Sequence, residues 1–426
     1  MPNGEATAHL FRPKLITTLS EGYDLGAFRH DLTAAVTVAI VALPLSMAIA
    51  VASGVSPDRG LFTAIVGGFV VSALSGSRFQ IGGPAGAFIT LMASTAASIG
   101  LEGLLVAVLL SGAMLVVLGA LRIGSLVRYM PHAVTVGFTS GIAVTILVSQ
   151  LKDLGGLRLA GAEPGPIIPK LGALAHAAST FNIDAFAVGA ATAAIIFGLR
   201  KTRPNWPGML IAVAAAALIT MLGGLPVETI ASRFGSIPRG LPWPALPAMS
   251  GDLVMRALPA AFSFTLLGAV ESLLSAKVAD AMTGRKHRSN MELIGQGVAN
   301  MASACFGGLC VTGTIARTAT NIRAGAKSPI SGMLHAVILL LFMIIAAPLA
   351  GYIPLPALAG VLVAVCWNMA EKAEFARLLR AWPTGLVLTA TFALTIVRDL
   401  TAGIVAGCVL AALLAWLRRP APAEGV

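Results

Sequence analysis

Apolar runs about twenty residues long recur along nearly the whole of this chain. Each can cross a hydrocarbon layer as a helix. Within a bilayer the backbone must satisfy its own hydrogen bonds, so the expected fold is an all-α polytopic membrane protein. Composition agrees: 57% of residues are apolar and 11% charged, outside the range of soluble domains. A net charge of +11 would suggest nucleic acid for a soluble protein. Here cationic cytoplasmic loops account for it, and no nucleic-acid partner is expected. Cys305, Cys310, Cys366 and Cys408 lie in apolar sequence without CxxC spacing and read as buried thiols. Residues 1–28 are polar and carry no cleavable leader, which suits a cytoplasmic N-terminal segment.

Hydropathy predicts fourteen spans. The first repeat, 29–224, holds spans near 29–52, 58–75, 84–99, 103–121, 131–151, 183–199 and 206–223. The second, 257–417, holds 257–280, 290–305, 312–324, 329–348, 355–371, 384–398 and 401–417. A proline-rich linker, 225–256, joins them, and a short tail, 418–426, follows. With the N-terminus inside, Arg59, Lys152, Arg158, Lys170, Arg233, Arg239, Arg256 and Arg398 fall on the outer face and Arg317 within the membrane. The other twenty of the 29 cations, among them Lys14, Arg78, Arg128, Arg285, Arg288, Arg418 and Arg419, fall inside. The positive-inside rule therefore puts both termini in the cytoplasm, and the bacterial inner membrane is the expected location.

Two polar, glycine-rich interruptions break the apolar pattern: Gln80-Ile81-Gly82-Gly83-Pro84-Ala85-Gly86-Ala87-Phe88, and the run from Gly307 to Thr318. Each precedes a stretch too short to span, so the third and tenth spans read as half-helices entered through extended segments. Aligning Gly86 with Gly313 gives an offset of 227 that carries Asp31 to Leu258. Seven spans per repeat is an odd number, so the second repeat runs inverted, as in many secondary transporters. The two half-helix N-termini then face each other, each with unpaired N–H groups and about half a positive charge. The gap between Pro84–Phe88 and Thr312–Ile315, with Ala87 and Gly313 at its edges, is thus a site for a small anion. The offset also sets Pro44, an expected mid-depth kink, opposite Glu271.

Arg317 enters this gap as a cation at a depth where charge costs roughly 2.5–3.5 kcal/mol. It reads as a fixed charge that raises anion affinity; pairing with Glu271 or snorkelling is the structural alternative. Glu271 is the carboxylate deep in the eighth span, with Ser275 one turn on. Either it carries a proton or, ionised, it joins Ser275 in binding sodium. Asp280 and Glu292 read as interfacial partners of Arg285, Lys286 or Arg288. Asn300 and Asn321 read as amides that tie helices together, and His132 and His335 as structural. No GxxxxGK[ST] loop, metal-ligand cluster or nucleophile–base pair occurs, so no cofactor and no enzyme activity are expected.

The segments Gln80–Phe88, Glu271–Ser275, Thr283–Leu293, Gln296–Asn300 and Thr312–Gly325 resemble the SulP (sulfate permease) anion transporter family over roughly residues 25–417. That resemblance implies a seven-plus-seven fold with a core domain (spans 1–4 and 8–11) and a gate domain (spans 5–7 and 12–14). It implies an anion site at Pro44, Leu45, Ile49, Phe88, Glu271, Thr314, Ala316 and Arg317, a homodimer, and an elevator-like movement of core against gate. Many members have glutamine where this chain has Leu45, and most end in a STAS domain for which the sequence leaves no room after Arg419. The expected function is secondary active transport of sulfate, bicarbonate or dicarboxylates, coupled to protons. Sodium-coupled bicarbonate symport and an uncoupled exchanger or channel are the alternatives.

Overall fold

The computed structural model describes residues 11–124, 131–161, 163–164, 166–204, 206–398 and 400–417. Residues 1–10 and the expected tail 418–426 lie outside them, as do the cations Arg128, Arg418 and Arg419. The elements are α1 (Lys14–Ser20), α2 (Leu25–Ala52), α3 (Pro57–Leu74), β1 (Gly82–Gly83), α4 (Gly86–Ala120), α5 (His132–Leu154), α6 (Ile167–His176), α7 (Ile183–Thr202) and α8 (Gly208–Gly223). After α9 (Ile230–Phe234) come α10 (Gly251–Thr283), α11 (Ser289–Cys305), β2 (Thr312–Gly313), α12 (Ile315–Arg323), α13 (Ile330–Ala350), α14 (Leu355–Met369), α15 (Lys372–Leu379), α16 (Thr384–Val397) and α17 (Leu400–Leu417). Among the described residues eight helices are long and apolar enough to cross a membrane: α2, α3, α4, α5, α7, α10, α13 and the stretch Leu355–Leu379 that begins with α14. Shorter apolar helices cover Gly208–Gly223, Thr384–Val397 and Thr401–Leu417.

The expected third and fourth spans are joined more closely than their hydropathy suggests. The chain turns on Gly100 alone, at φ 74° and ψ 179°, a conformation open to glycine because it has no Cβ. The expected linker is likewise not free. Ser250 caps α10 through Leu253 N–H, so that helix starts at Gly251 rather than near 257. Thr229 and Ser232 form a capping box on α9. Ile230 and Ala231 donate to the carbonyls of Ile353 and Gly351, and Leu355 donates to that of Glu228.

Helices pack in two groups. In one, α4 lies along α10 and α11, α2 along α3, α12 and α13, and α3 along α11 and α13. In the other, α5 packs on α14, α16 and α17, and α7 on α8 and α14. Contacts of α14 and α8 with α2 join the groups. Small residues permit the closest crossings. Gly112 of α4 and Gly297 of α11 meet back to back, a Cβ on either falling 2.6 or 2.5 Å from the other's carbonyl oxygen. Pro44 sits within α2 without ending it. Two residues on, the Ser46 carbonyl is in such close contact with Gly60 of α3 that a Cβ there would overlap it.

Candidate functional site

The two interruptions meet. β1 and β2 pair antiparallel with Gly82 opposite Gly313 and Gly83 opposite Thr312. Two-stranded pairs are marginal alone, and buried side chains fix this one from both sides. Asn300 of α11 accepts from Val311 N–H at 2.9 Å and donates to the Val311 carbonyl at 2.9 Å, and Gln296 donates to the same carbonyl. Thr63 receives Leu309 N–H at 2.6 Å. It lies in a π-helical turn of α3, Thr63–Gly67, against which Val311 packs at Gly67. Thr318 receives Ile81 N–H at 3.1 Å, Ser272 Oγ receives Gly313 N–H at 3.3 Å, and Gln80 donates to the Ser272 carbonyl at 3.3 Å. Gly313 is confined by this packing: a Cβ there would overlap the Gln80 amide.

Each strand leads within a few residues into a helix start. Ala85 precedes the first turn of α4 and Thr314 precedes α12; both are extended, and neither side chain caps its helix. Two positive helix ends are therefore held close together, without a side-chain oxygen of their own cap residues on them. Ile315 and Ala316 are exposed at the start of α12. Gly86 faces Ile146 of α5 at 3.4 Å and Met369 of α14 at 3.7 Å, measured from a Cβ built on it.

Arg317 is 2% exposed. Its Nη2 donates to Ser46 Oγ at 3.2 Å and to the Pro84 carbonyl at 3.3 Å. Nη1 lies against Gly83, and both Nη1 and Nε are buried without a hydrogen-bond partner among the described residues. Among the described residues no carboxylate forms an ion pair with it, so pairing with Glu271 is not its role. Glu271, on α10, is half-buried, with Oε2 enclosed and unpartnered. Ser275 Oγ donates to Thr318 Oγ1 at 3.2 Å and so ties α10 to α12.

Of the other expected site residues, Pro44, Leu45 and Ile49 are buried along α2, and Ala87 is buried at the start of α4. Phe88 is fully buried, its ring 6.0 Å from that of Phe264 on α10. Thr314 is 7% exposed and donates to the Ile81 carbonyl at 3.2 Å. Asn321 donates to the Phe79 carbonyl and to Ser331, each at 2.9 Å, tying the strand side of β1 to the helix that carries Arg317.

Two expected interfacial pairings do not form. Glu292 is fully buried on α11 and joins no ion pair among the described residues; Arg288 instead donates to the Arg12 carbonyl and Thr17. Asp280 binds His287 at 2.7 Å. His132 pairs with Glu374 at 2.9 Å, whereas His335 is fully buried and neither ring nitrogen has a hydrogen-bond partner among the described residues. Beyond the first turn of α4, a cavity of about 1070 Å³ opens between Ile89, Thr90 and Ala93 on one side and α5, α7 and α9 on the other. Lys152, Arg158, Lys170 and Arg233, four cations that the charge count groups on one face, line it together. Lys170 pairs with Glu163 at 2.8 Å and Arg233 with Asp153 at 2.9 Å. Sequence reasoning missed this vestibule, because its walls come from elements far apart in the chain.

Comparison with known proteins extends the likeness to nearly the full length. A putative sulfate transporter, YvdB, of Bacillus subtilis is 42% identical over 95% of this chain and 77% of its own. The bicarbonate transporter BicA of Picosynechococcus is 31% identical over 91% of this chain and 70% of its own. The solved transmembrane domain of a cyanobacterial BicA superposes with a TM-score of 0.80 at 31% identity, over 89% of this chain and 98% of that one. SLC26A9 shares the fold with a TM-score of 0.88 at 18% identity, over 97% of this chain and 69% of that one. The model of the sulfate permease family matches residues 28–392, a range that takes in both strands and both uncapped helix starts, and this chain belongs to that family.

Proposed function

We propose that the chain is a secondary active transporter of small anions, of the sulfate, bicarbonate or dicarboxylate class, working as a proton-coupled symporter. One observation carries the reading: the β1–β2 ladder holds two uncapped helix starts beside Arg317, which no carboxylate neutralises among the described residues. A buried guanidinium with unpartnered donors keeps much of its field for an incoming anion. Relatives named as sulfate and bicarbonate transporters support the substrate class.

Glu271 is the proposed proton carrier, since its Oε2 is buried without a hydrogen-bond partner and, among the described residues, it joins no ion pair. Protonated as the anion binds, it would let one negative charge cross with one proton. Sodium remains the second reading because Ser275 lies one turn from Glu271 on the same helix and could add an oxygen ligand beside the carboxylate.

An inverted seven-plus-seven repeat is supported by the 226-residue separation of the starts of α2 and α10, at Leu25 and Gly251, and by the antiparallel ladder at its centre. The two packing groups suit a core that moves past a gate, with α2, α8 and α14 at the seam. The working form is proposed to be a homodimer in the bacterial inner membrane with both termini in the cytoplasm. Purified protein in lipid vesicles tests this reading: an imposed inward proton gradient should drive a labelled anion above its equilibrium level. Uptake that never exceeds equilibrium would remove symport and leave exchange or conduction.

A further inference from the structure

At the end of the molecule where α3 and α10 finish and α11 begins, α1 folds against the turn that leads into β1. Lys14 N–H donates to the Ser75 carbonyl at 3.0 Å, and Arg288 N–H to the Gly76 carbonyl at 3.0 Å. The Arg288 side chain reaches across to the Arg12 carbonyl at 2.6 Å and to Thr17 Oγ1 at 2.9 Å. Arg78, buried beneath, pairs with Glu21, which also has Arg285 at 3.9 Å.

The charges in this niche do not balance. Arg12, Lys14, Arg78, Arg285 and Arg288 outnumber Glu21, Asp280 and the buried Glu292 beneath Gly76, and Asp280 is already bonded to His287 at 2.7 Å. Among the described residues neither Lys14 nor Arg288 has a carboxylate partner. Burial and the neighbouring guanidiniums of Arg288 and Arg78 hold Lys14 below the usual lysine range. Burial, Arg12 and Arg78 do the same to Arg288. Like charges gathered at mutual cost are relieved by an anion.

The surroundings choose between possible anions. Ile16 and Leu19 of α1 are 45% and 53% exposed, and Leu25, at the start of α2, is 66% exposed. Apolar side chains on a short surface helix beside clustered cations are the signature of an element lying at the headgroup level of a bilayer. A soluble phosphate would use the cations and leave those side chains in water.

We propose that this niche binds the phosphate of an anionic phospholipid, with Lys14 and Arg288 as its principal ligands and Ile16 and Leu19 against the acyl chains. The lipid clamps α1 onto the turn Ser75–Ser77, which runs directly into Gln80 and β1. Its effect is therefore on the stability of the strand that positions the anion gap, and it is independent of which anion is carried.

The test uses the full chain purified in detergent and measures its thermal midpoint with added phosphatidylglycerol, phosphatidylcholine or glycerol 3-phosphate. Phosphatidylglycerol should raise the midpoint by several degrees more than phosphatidylcholine, and Lys14→Gln and Arg288→Gln should each lose most of that difference. Native mass spectrometry should show retained phosphatidylglycerol that the Lys14→Gln protein releases; this readout stands even where Arg288→Gln folds poorly. Equal stabilisation by glycerol 3-phosphate would overturn the lipid assignment. Equal shifts from the two lipids, or a full phosphatidylglycerol effect in both variants, would overturn the site.

Discussion

Arg317 Nη2 donates to Ser46 Oγ at 3.2 Å, so the buried cation of α12 is oriented by α2, 271 residues away in sequence. With Ser46 and the Pro84 carbonyl on one side and Gly83 on the other, the guanidinium is held against β1. Replacing Arg317 with Ala should weaken anion binding by about 10–100-fold, as expected for loss of an interaction of roughly 1.5–3 kcal/mol. Ser46→Ala, which removes one of the two hydrogen bonds that orient the guanidinium and leaves its charge, should cost less, about 3–10-fold. Binding to vesicles or detergent-purified protein, followed by calorimetry, checks both; equal effects of the two changes would argue against a charge-based role.

Gly313 and Gln80 should behave as a coupled pair. A methyl group on Gly313 overlaps the Gln80 amide, so Gly313→Ala should destabilise the protein by about 1–3 kcal/mol. Adding Gln80→Ala removes the clash and should recover part of that loss, with a coupling of about 0.5–3 kcal/mol. Thermal midpoints of the two single variants and the double variant measure it. Simple additivity would show that the collision is absorbed elsewhere.

Asp31 is a second anchoring point. Fully buried, it accepts from Lys327 N–H at 2.6 Å, Ser328 N–H at 3.1 Å, Tyr23 Oη at 2.8 Å and the Ser328 hydroxyl. These bonds fix the turn between α12 and α13 to the start of α2. Asp31→Ala should cost on the order of 3 kcal/mol and Tyr23→Phe about 1 kcal/mol. Burial and the Asp31 bond raise the Tyr23 hydroxyl above the usual tyrosine range. The raised group contributes below the ordinary tyrosine value, and its contribution fades as alkaline pH approaches the folded value. Thermal midpoints of wild type and Tyr23→Phe should therefore converge as pH rises above about 10; a constant difference would contradict the hydroxyl's role.

Glu271→Gln separates the two coupling readings. If the carboxylate carries the proton, wild-type uptake should rise as the pH on the loading side falls, and the variant should lose that dependence while still binding anion. Uptake rates across a pH series, with and without sodium, supply the comparison. A pH response that survives in the variant, together with a lost sodium response, would transfer the role to sodium.

Much of the candidate site was legible because the physics that makes such residues costly also makes them conspicuous. Glycine-rich polar sequence and an arginine inside apolar surroundings have few inexpensive explanations, and Asn300 holds both backbone groups of Val311, as a buried amide in such a helix should. What stayed hidden depended on direction and long-range contact. Gly100 turns the chain between two helices, yet an isolated glycine in an apolar run is equally compatible with a continuous helix. Glu292 follows Arg285, Lys286 and Arg288 in sequence, but α11 starts at Ser289 and turns the carboxylate inward while Arg288 reaches to α1. The π turn at Thr63–Gly67 carries no local signature, because it is selected by the fit of Leu309 and Val311 against it.

The most direct test of the central claim is labelled sulfate and bicarbonate uptake into vesicles, comparing wild type with Arg317→Ala under an imposed inward proton gradient. Wild type should accumulate at least one of these anions saturably above equilibrium, and the variant should show a large loss of affinity. Uptake by Arg317→Ala with unchanged affinity would contradict the claim.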